Sequence, residues 1–123
     1  MDPKTNQRFR PFERVRNALD FRRAFDRRRS AADDRLIVYG VENGLDHARL
    51  GLSVSKKRVR KAFERNHVKR LLREAFRLSK AELPIGIDLI VVPKGPNLTF
   101  AAARDSLLRL SRDVARRLGK PAR

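Results

Sequence analysis

The side chains of this 123-residue chain that could act on a substrate are few and stand apart. His47 and His67 are its two imidazoles, and neither belongs to an H-x-H or H-E-x-x-H pattern that sets two ring nitrogens around a metal. Cysteine is absent, which excludes thiol nucleophiles, disulfides and thiolate zinc sites together. The 14 Asp and Glu residues are dispersed, mostly beside bases, which suits surface ion pairing better than a carboxylate metal site. Gly51 and Gly86 are isolated, so no glycine-rich phosphate loop exists. What does cluster is positive charge: between Lys56 and Lys80 stand eleven Lys and Arg against Glu64 and Glu74, or +9 of the chain's +17.

That segment has the strongest helical rhythm in the chain. Residues 59–81 lack Gly and Pro, and Val68, Leu71, Leu72, Ala75 and Ser79 recur at the spacing of a buried stripe. At ~100° per residue, Arg65, Asn66, Lys69, Arg70, Arg73 and Arg77 fall within an arc of about 140°, nearly opposite the stripe. A merely solvated basic face normally carries compensating glutamates one turn away, and only Glu74 comes close. The arc also favours Arg, whose planar fork pairs bidentately with phosphate, and Asn66 adds a donor and acceptor suited to a ribose or base edge. Phe63 fits neither side and is expected at the helix entry or against the flank of the core.

Aromatic residues form a second group. Phe21 and Phe25 lie one helical turn apart, and Tyr39 stands on a strand able to face them. As core residues they need no further explanation. Beside small polar strand positions and basic neighbours, they also suit unpaired bases, which stack on such surfaces at about 1–3 kcal/mol each.

The elements that position these groups follow from the remaining pattern. Length allows one core, so residues 1–123 are read as a single domain. Hydrophobic residues make up 41% and are periodic, which argues against wholesale disorder. Net charge points to a polyanion, with nucleic acid ahead of an anionic membrane surface. No apolar run of about 18 residues and no signal region appears, so a cytoplasmic location without membrane partners is expected. Residues 1–16, with Pro3 and Pro11 and no period, read as an extended arm, and 119–123 as a tail. Asn17 can cap a first helix ending near Arg28. Leu36 to Val41 reads as a strand followed by a turn at 42–46. Leu50, Leu52 and Val54 then alternate with Gly51, Ser53 and Ser55, leaving one strand face so bare that it meets water or leaves room for something to lie on it. Pro84 and Gly86 stop the basic helix, Ile87 to Val92 reads as an interior strand closed by Pro93, and Thr99 can cap a last helix carrying Phe100, Ala103, Leu107, Leu110 and Val114. The order is α-β-β-β-α-β-α, an α+β sandwich on one small sheet.

Two stretches, Leu50-Gly-Leu-Ser-Val-Ser-Lys-Lys and Arg65-Asn-His-Val-Lys-Arg-Leu-Leu-Arg-Glu-Ala-Phe-Arg, resemble the protein component of bacterial ribonuclease P, the second being similar to its signature R-N-x-x-K-R-x-x-R-E-x-F-R. The likeness runs from the Phe21/Phe25 helix through Pro93-Lys94-Gly95-Pro96. It implies a ribosomal-protein-S5-domain-2-like sandwich with a left-handed strand–helix–strand crossover, against the usual right-handed rule. It further implies a small subunit that joins one catalytic RNA to remove the 5′ leader of precursor tRNA. The RNA, with Mg2+ bound mainly to it and none held tightly by the protein, performs the hydrolysis. No obligate protein partner is implied.

By position, the resemblance places catalytic-RNA contacts at Lys56, Lys57, Arg60, Arg65, Asn66, Lys69, Arg70 and Arg73. The leader cleft falls on Phe21, Phe25 and Tyr39, with Ser53, Ser55 and Lys94 completing it. Where some family members have a glycine after the paired lysines this chain has Arg58-Val59-Arg60, so a longer, more basic loop into the helix is expected. Charge and size alone suit a ribosomal protein or general RNA chaperone equally. A helix for a DNA major groove is a third reading, which requires base-specific duplex affinity.

Overall fold

The computed structural model describes residues 9–119; the start of the expected arm and all of the expected tail after Gly119 lie outside them. Helix α1 spans Ala18–Arg27, and Asn17 caps it by accepting the Leu19 amide at 2.8 Å. Helix α3 spans Phe100–Arg117 under the matching cap of Thr99, whose Oγ1 accepts from the Ala102 amide at 3.1 Å. Both caps satisfy amides that the first helical turn leaves orphaned. Helix α2 covers Ala62–Ser79 and passes into a 3-10 turn at Lys80–Glu82. It starts later than residue 59 because the residues before it form a separate turn, closed by the Val59 amide donating to Ser55 O at 3.0 Å; Lys61 is its N-cap, without a side-chain cap bond.

Four strands, β1 (Ser30–Ala32), β2 (Leu36–Glu42), β3 (Arg49–Leu52) and β4 (Ile87–Pro93), form one sheet in the order β1-β2-β4-β3. The β1–β2 and β2–β4 pairs are antiparallel, and β3–β4 is parallel. The first of the three strands between α1 and α2 is therefore the short one at Ser30, ahead of Leu36. Helix α2 carries the chain from β3 to its parallel neighbour β4, and the hand of this crossover follows from chirality. Viewed from the face covered by α2 and α3 with β4 running upward, Val91 points its side chain at the viewer, so an L-residue turns its carbonyl to the right. That carbonyl accepts from the Ser53 amide at 3.0 Å, so β3 lies to the right and the chain crosses in front from right to left. The crossover is left-handed.

The main core fills the covered face: Leu36, Val38, Leu89 and Val91 pack against Val68, Leu72, Ala75 and Phe76 of α2 and Ala103, Leu107, Leu110 and Val114 of α3. On the other face a smaller core joins Val15, Ala24, Val41 and Ile90, with Phe21 and Tyr39 packed on it. The bare strand position Gly51 lies under this second core. A Cβ there meets Ile90 Cδ1 at 2.6 Å and Phe21 Cζ at 2.9 Å, so what lies on the glycine is the protein's own first helix.

Several expectations are corrected. The last part of the expected arm is folded: Pro11–Glu13 form a 3-10 turn, the Val15 amide donates to Leu50 O at 2.9 Å, and buried Glu13 accepts from Lys80 Nζ at 3.1 Å. Strand β3 ends at Leu52, so Ser55 does not continue it; its Oγ accepts the Arg58 amide in the following turn. Of the two places expected for Phe63 the structure shows the helix entry and not the flank of the core: it is the second residue of α2, 68% exposed, with Lys61 Nζ 5.8 Å from its ring.

Two carboxylates fix how the layers sit. Asp88, fully buried in β4, takes both Arg49 Nε and Nη2 at 2.7 and 2.6 Å and Asn43 Nδ2 at 3.0 Å. Arg49 Nη2 also reaches Asp20 of α1 at 3.4 Å, so one guanidinium ties that helix to the sheet. Asp33, before β2, accepts from Ser106 Oγ at 2.6 Å, Arg109 Nη2 at 2.9 Å and the amides of Arg35 and Leu36. Desolvation works to raise its pKa, but these hydrogen bonds together hold it down at about 2.

Two outcomes are expected. Gly51→Ala should destabilise the fold by roughly 1–3 kcal/mol in urea unfolding, because Ile90 and Phe21 must both give way. Asp33 binds its proton more weakly folded than unfolded, so its contribution is present above the unfolded pKa and is lost as pH falls from 3.8 toward about 2. Urea midpoints taken across that window should drop more steeply for the native chain than for Asp33→Asn.

Candidate nucleic-acid interface

Helix α2 is held by its apolar flank, which leaves Asn66, Arg70 and Arg73 exposed and Lys69 half-exposed on the opposite side. None of these four side chains has a hydrogen bond or ion pair among the described residues. Glu74 is taken by Arg77 in the same helix, so it neutralises nothing else on the face. Lys56, Lys57 and Arg60, in the turn before α2, are exposed and equally unpaired.

Arg65 differs from the rest of the arc. Its Nη1 donates to the carbonyls of Val59 and Arg60 at 3.0 and 2.8 Å. This fixes the basic turn onto the first turn of α2, with fully buried Val59 as its anchor. The stretch Arg58-Val59-Arg60 thus lies against the helix that it enters.

The aromatic residues converge on the other face of the sheet. Phe25 and Tyr39 meet edge to face with ring centroids 4.8 Å apart, and Phe25 remains 36% exposed. Phe21 is half-buried above Gly51. Register places Ser30 opposite Tyr39, and Ile37 opposite Val92, so these side chains share the face beyond α1. Ser53 is half-exposed just past the end of β3, and Lys94 is exposed just past the end of β4. By alternation both lie along this open row. Five of the six expected cleft residues are therefore on one side of the sheet, and Ser55 is outside the row.

The two surfaces are joined by residues absent from the sequence reading. A cavity of about 200 Å³ at the β3 edge is lined by Phe21 and Leu52 from the sheet side, Lys69 and Arg73 from α2, and Phe9, Arg14 and Arg16 between them. Beside it, Phe9 and Arg14 wall a groove of about 420 Å³ with Asn66, Arg70, Arg73 and Arg77. Phe9 is held edge to face on buried Phe76 at 5.2 Å, and the Arg14 guanidinium lies 4.7 Å over its ring. Residues 9–16, Phe-Arg-Pro-Phe-Glu-Arg-Val-Arg, carry no period, and the one signal that could have pointed to them is two rings set among three arginines. No described helix is long and apolar enough to cross a membrane.

A family model described as Ribonuclease P matches residues 9–116. The chain belongs to the ribonuclease P protein family. It is 40% identical over 90 residues to the ribonuclease P protein component of Methylococcus capsulatus, across 73% of this chain and 70% of that one. A counterpart from Escherichia coli is 40% identical over 100 residues, covering 80% and 84% respectively. Among solved structures, the RNase P protein of Thermotoga maritima superposes with a TM-score of 0.72 at 35% identity, over 80% of this chain and 94% of that one. The Staphylococcus aureus RNase P protein gives 0.70 at 34% identity, over 80% and 91%. Membership places the chain in tRNA processing, as the protein component of an endoribonuclease complex.

The unequal roles of the arginines on α2 predict different costs. Arg65→Ala should lower unfolding stability by about 1–2 kcal/mol, since two carbonyls of the basic turn lose their donor. Arg73→Ala, at an exposed unpaired position, should stay within about 0.5 kcal/mol of the native chain in the same urea titration.

Proposed function

We propose that this chain binds the catalytic RNA of ribonuclease P through the outward face of α2 and holds the 5′ leader of precursor tRNA in the aromatic trough, assisting removal of the leader. The observation that carries the reading is the pairing of two surfaces on one small domain. One is a helix face of arginine and lysine side chains without partners, and the other is a half-exposed row of rings one sheet away.

Phosphates supply the missing partners for Lys69, Arg70 and Arg73, with release of condensed counterions as the driving force. Arg65 contributes chiefly by fixing the turn that presents Lys56, Lys57 and Arg60. Unpaired bases find stacking surface on Phe25, Tyr39 and the open edge of Phe21, and Ser53 and Lys94 offer donors farther along the row. The hydrolysis belongs to the RNA. Mg2+ is assigned to the RNA as part of this proposal.

Reconstitution tests the reading directly. Added to a bacterial catalytic RNA at low magnesium, the chain should promote 5′ cleavage of precursor tRNA and favour precursor over mature tRNA. Tyr39→Ala should raise KM for the leader-bearing substrate roughly ten-fold while sparing assembly, the scale of one lost base stack. Arg73→Ala should instead weaken assembly and flatten its log–log salt slope by about 0.9. Equal affinity for precursor and mature tRNA would mark a general RNA chaperone.

A further inference from the structure

At the edge of the sheet away from α2, the C-terminal ends of α1 and α3 converge beside β1. Arg28, Arg29 and Arg117 line a basin of about 430 Å³ there, together with Ser30. None of the three arginines has a hydrogen-bonding or ionic partner for its side chain among the described residues. Their neighbours do: Arg27 pairs with Glu42, Arg23 with Asp20, and Arg116 with Asp113.

Cations at helix C-termini have an ordinary explanation, since each helix end carries about half a negative charge. Two such ends offset about one of the three positive charges and leave about two. Arg28 adds a second oddity, being the one described non-glycine residue at positive φ (55°, with ψ 33°). This is the left-handed position after a helix where glycine is usual and a side chain costs energy. The backbone therefore gives no reason for an arginine there.

The basin is also continuous with the trough. Ser30 is the cross-strand partner of Tyr39 and shares its face, and Arg28 follows Phe25 by almost one turn. A strand whose bases stack on Phe25 and Tyr39 and which runs on over the β1 edge brings its next phosphates to these guanidinium groups.

We propose that Arg28, Arg29 and Arg117 form a phosphodiester-binding subsite for single-stranded RNA, taking the leader backbone distal to the nucleotides held in the trough. The assignment rests on the leader-binding reading above. It adds a sequence-independent contact that only longer leaders reach, formed by bidentate pairing of guanidinium groups with phosphate oxygens.

The test uses the holoenzyme reconstituted with catalytic RNA and precursor tRNAs whose leaders are shortened one nucleotide at a time from the 5′ end. The variant is Arg28→Gly/Arg29→Gln/Arg117→Gln, with Arg28→Gly matched to the backbone; Arg117→Gln alone serves as a second variant on the opposite side of the basin. With the native chain, affinity should rise as the leader lengthens and then level off. The triple variant should match it on the shortest leaders and bind the longest about ten-fold more weakly, with a salt slope flattened by about 0.7 for each lost phosphate contact. Arg117→Gln should show a smaller loss of the same length dependence.

Equal binding by the variants and the native chain at every length overturns the subsite while leaving the trough reading intact. A loss shared equally by long leaders, short leaders and mature tRNA also overturns it, by moving the contact to the catalytic RNA or the tRNA body. No leader dependence in the native chain removes the trough reading and the subsite together.

Discussion

Strand β4 must be buried on both faces, and the rest of the molecule is arranged around that requirement. Leu89 and Val91 are fully covered on one side and Ile90 on the other. The first side is satisfied by two long helices. The second is satisfied only over the part of the sheet where α1 lies, since ten residues of helix make a rod of about 15 Å. The close approach of Phe21 over Gly51 draws α1 down at that end. What it cannot reach, the row from Tyr39 through Ile37 and Val92, stays half-covered. The aromatic trough is thus the unfilled remainder of a sheet packed by one short helix.

Acidic side chains go where they fix geometry. Asp88 and Asp20 share Arg49 between sheet and α1, Asp33 joins the start of β2 to α3, Glu13 ties the N-terminal turn to Lys80, and Glu42 holds Arg27. Each is an ion pair across elements and uses one of a small supply of carboxylates. The outward side of α2 receives none of them apart from Glu74, and the arginine basin beside β1 has no carboxylate among its lining residues. Charge segregation and architecture therefore have one origin, because the same carboxylates that lock the layers together are withheld from the surfaces left positive.

The sequence was most legible where the physics is local. Asn17 and Thr99 cap where their hydroxyl or amide chemistry says they should, and of the expected α2 stripe Val68, Leu72, Ala75 and Ser79 are buried while Leu71 is half-buried at its margin. It was least legible where a distant partner decides. Val15 and Glu13 have no periodic signature, and their placement depends on Leu50 and Lys80 far along the chain. Phe76 lies off the centre of the stripe and is fully buried because Phe9 covers its flank. Strand β1 is three residues long, too short to show alternation. The arc of basic residues looked uniform, yet Arg65 sits on the first turn of α2 within reach of the carbonyls of the entering turn, and Arg70 and Arg73 do not. Sequence spacing gives the angle around a helix and says nothing of what stands beyond its end. The crossover hand was expected from family resemblance alone, since the general rule for parallel strands points the other way.

The charge left on α2 also sets the sign of salt effects. Like charges one turn apart on a helix each cost a few tenths of a kcal/mol, and several such pairs on Lys69, Arg70, Arg73 and their neighbours sum to a measurable share of a stability of about 5–15 kcal/mol. The apolar side of the helix offsets that repulsion in the free chain. Added salt screens it within a Debye length of about 10 Å and so favours the folded domain. The same salt removes the counterion-release gain that drives phosphate contact, and so disfavours any complex with RNA. A polyanion on this face relieves the repulsion more completely than mobile ions, because its charges are fixed in register with the arginines. Folding stability and RNA affinity are thus linked through one set of side chains, with salt acting on them in opposite directions.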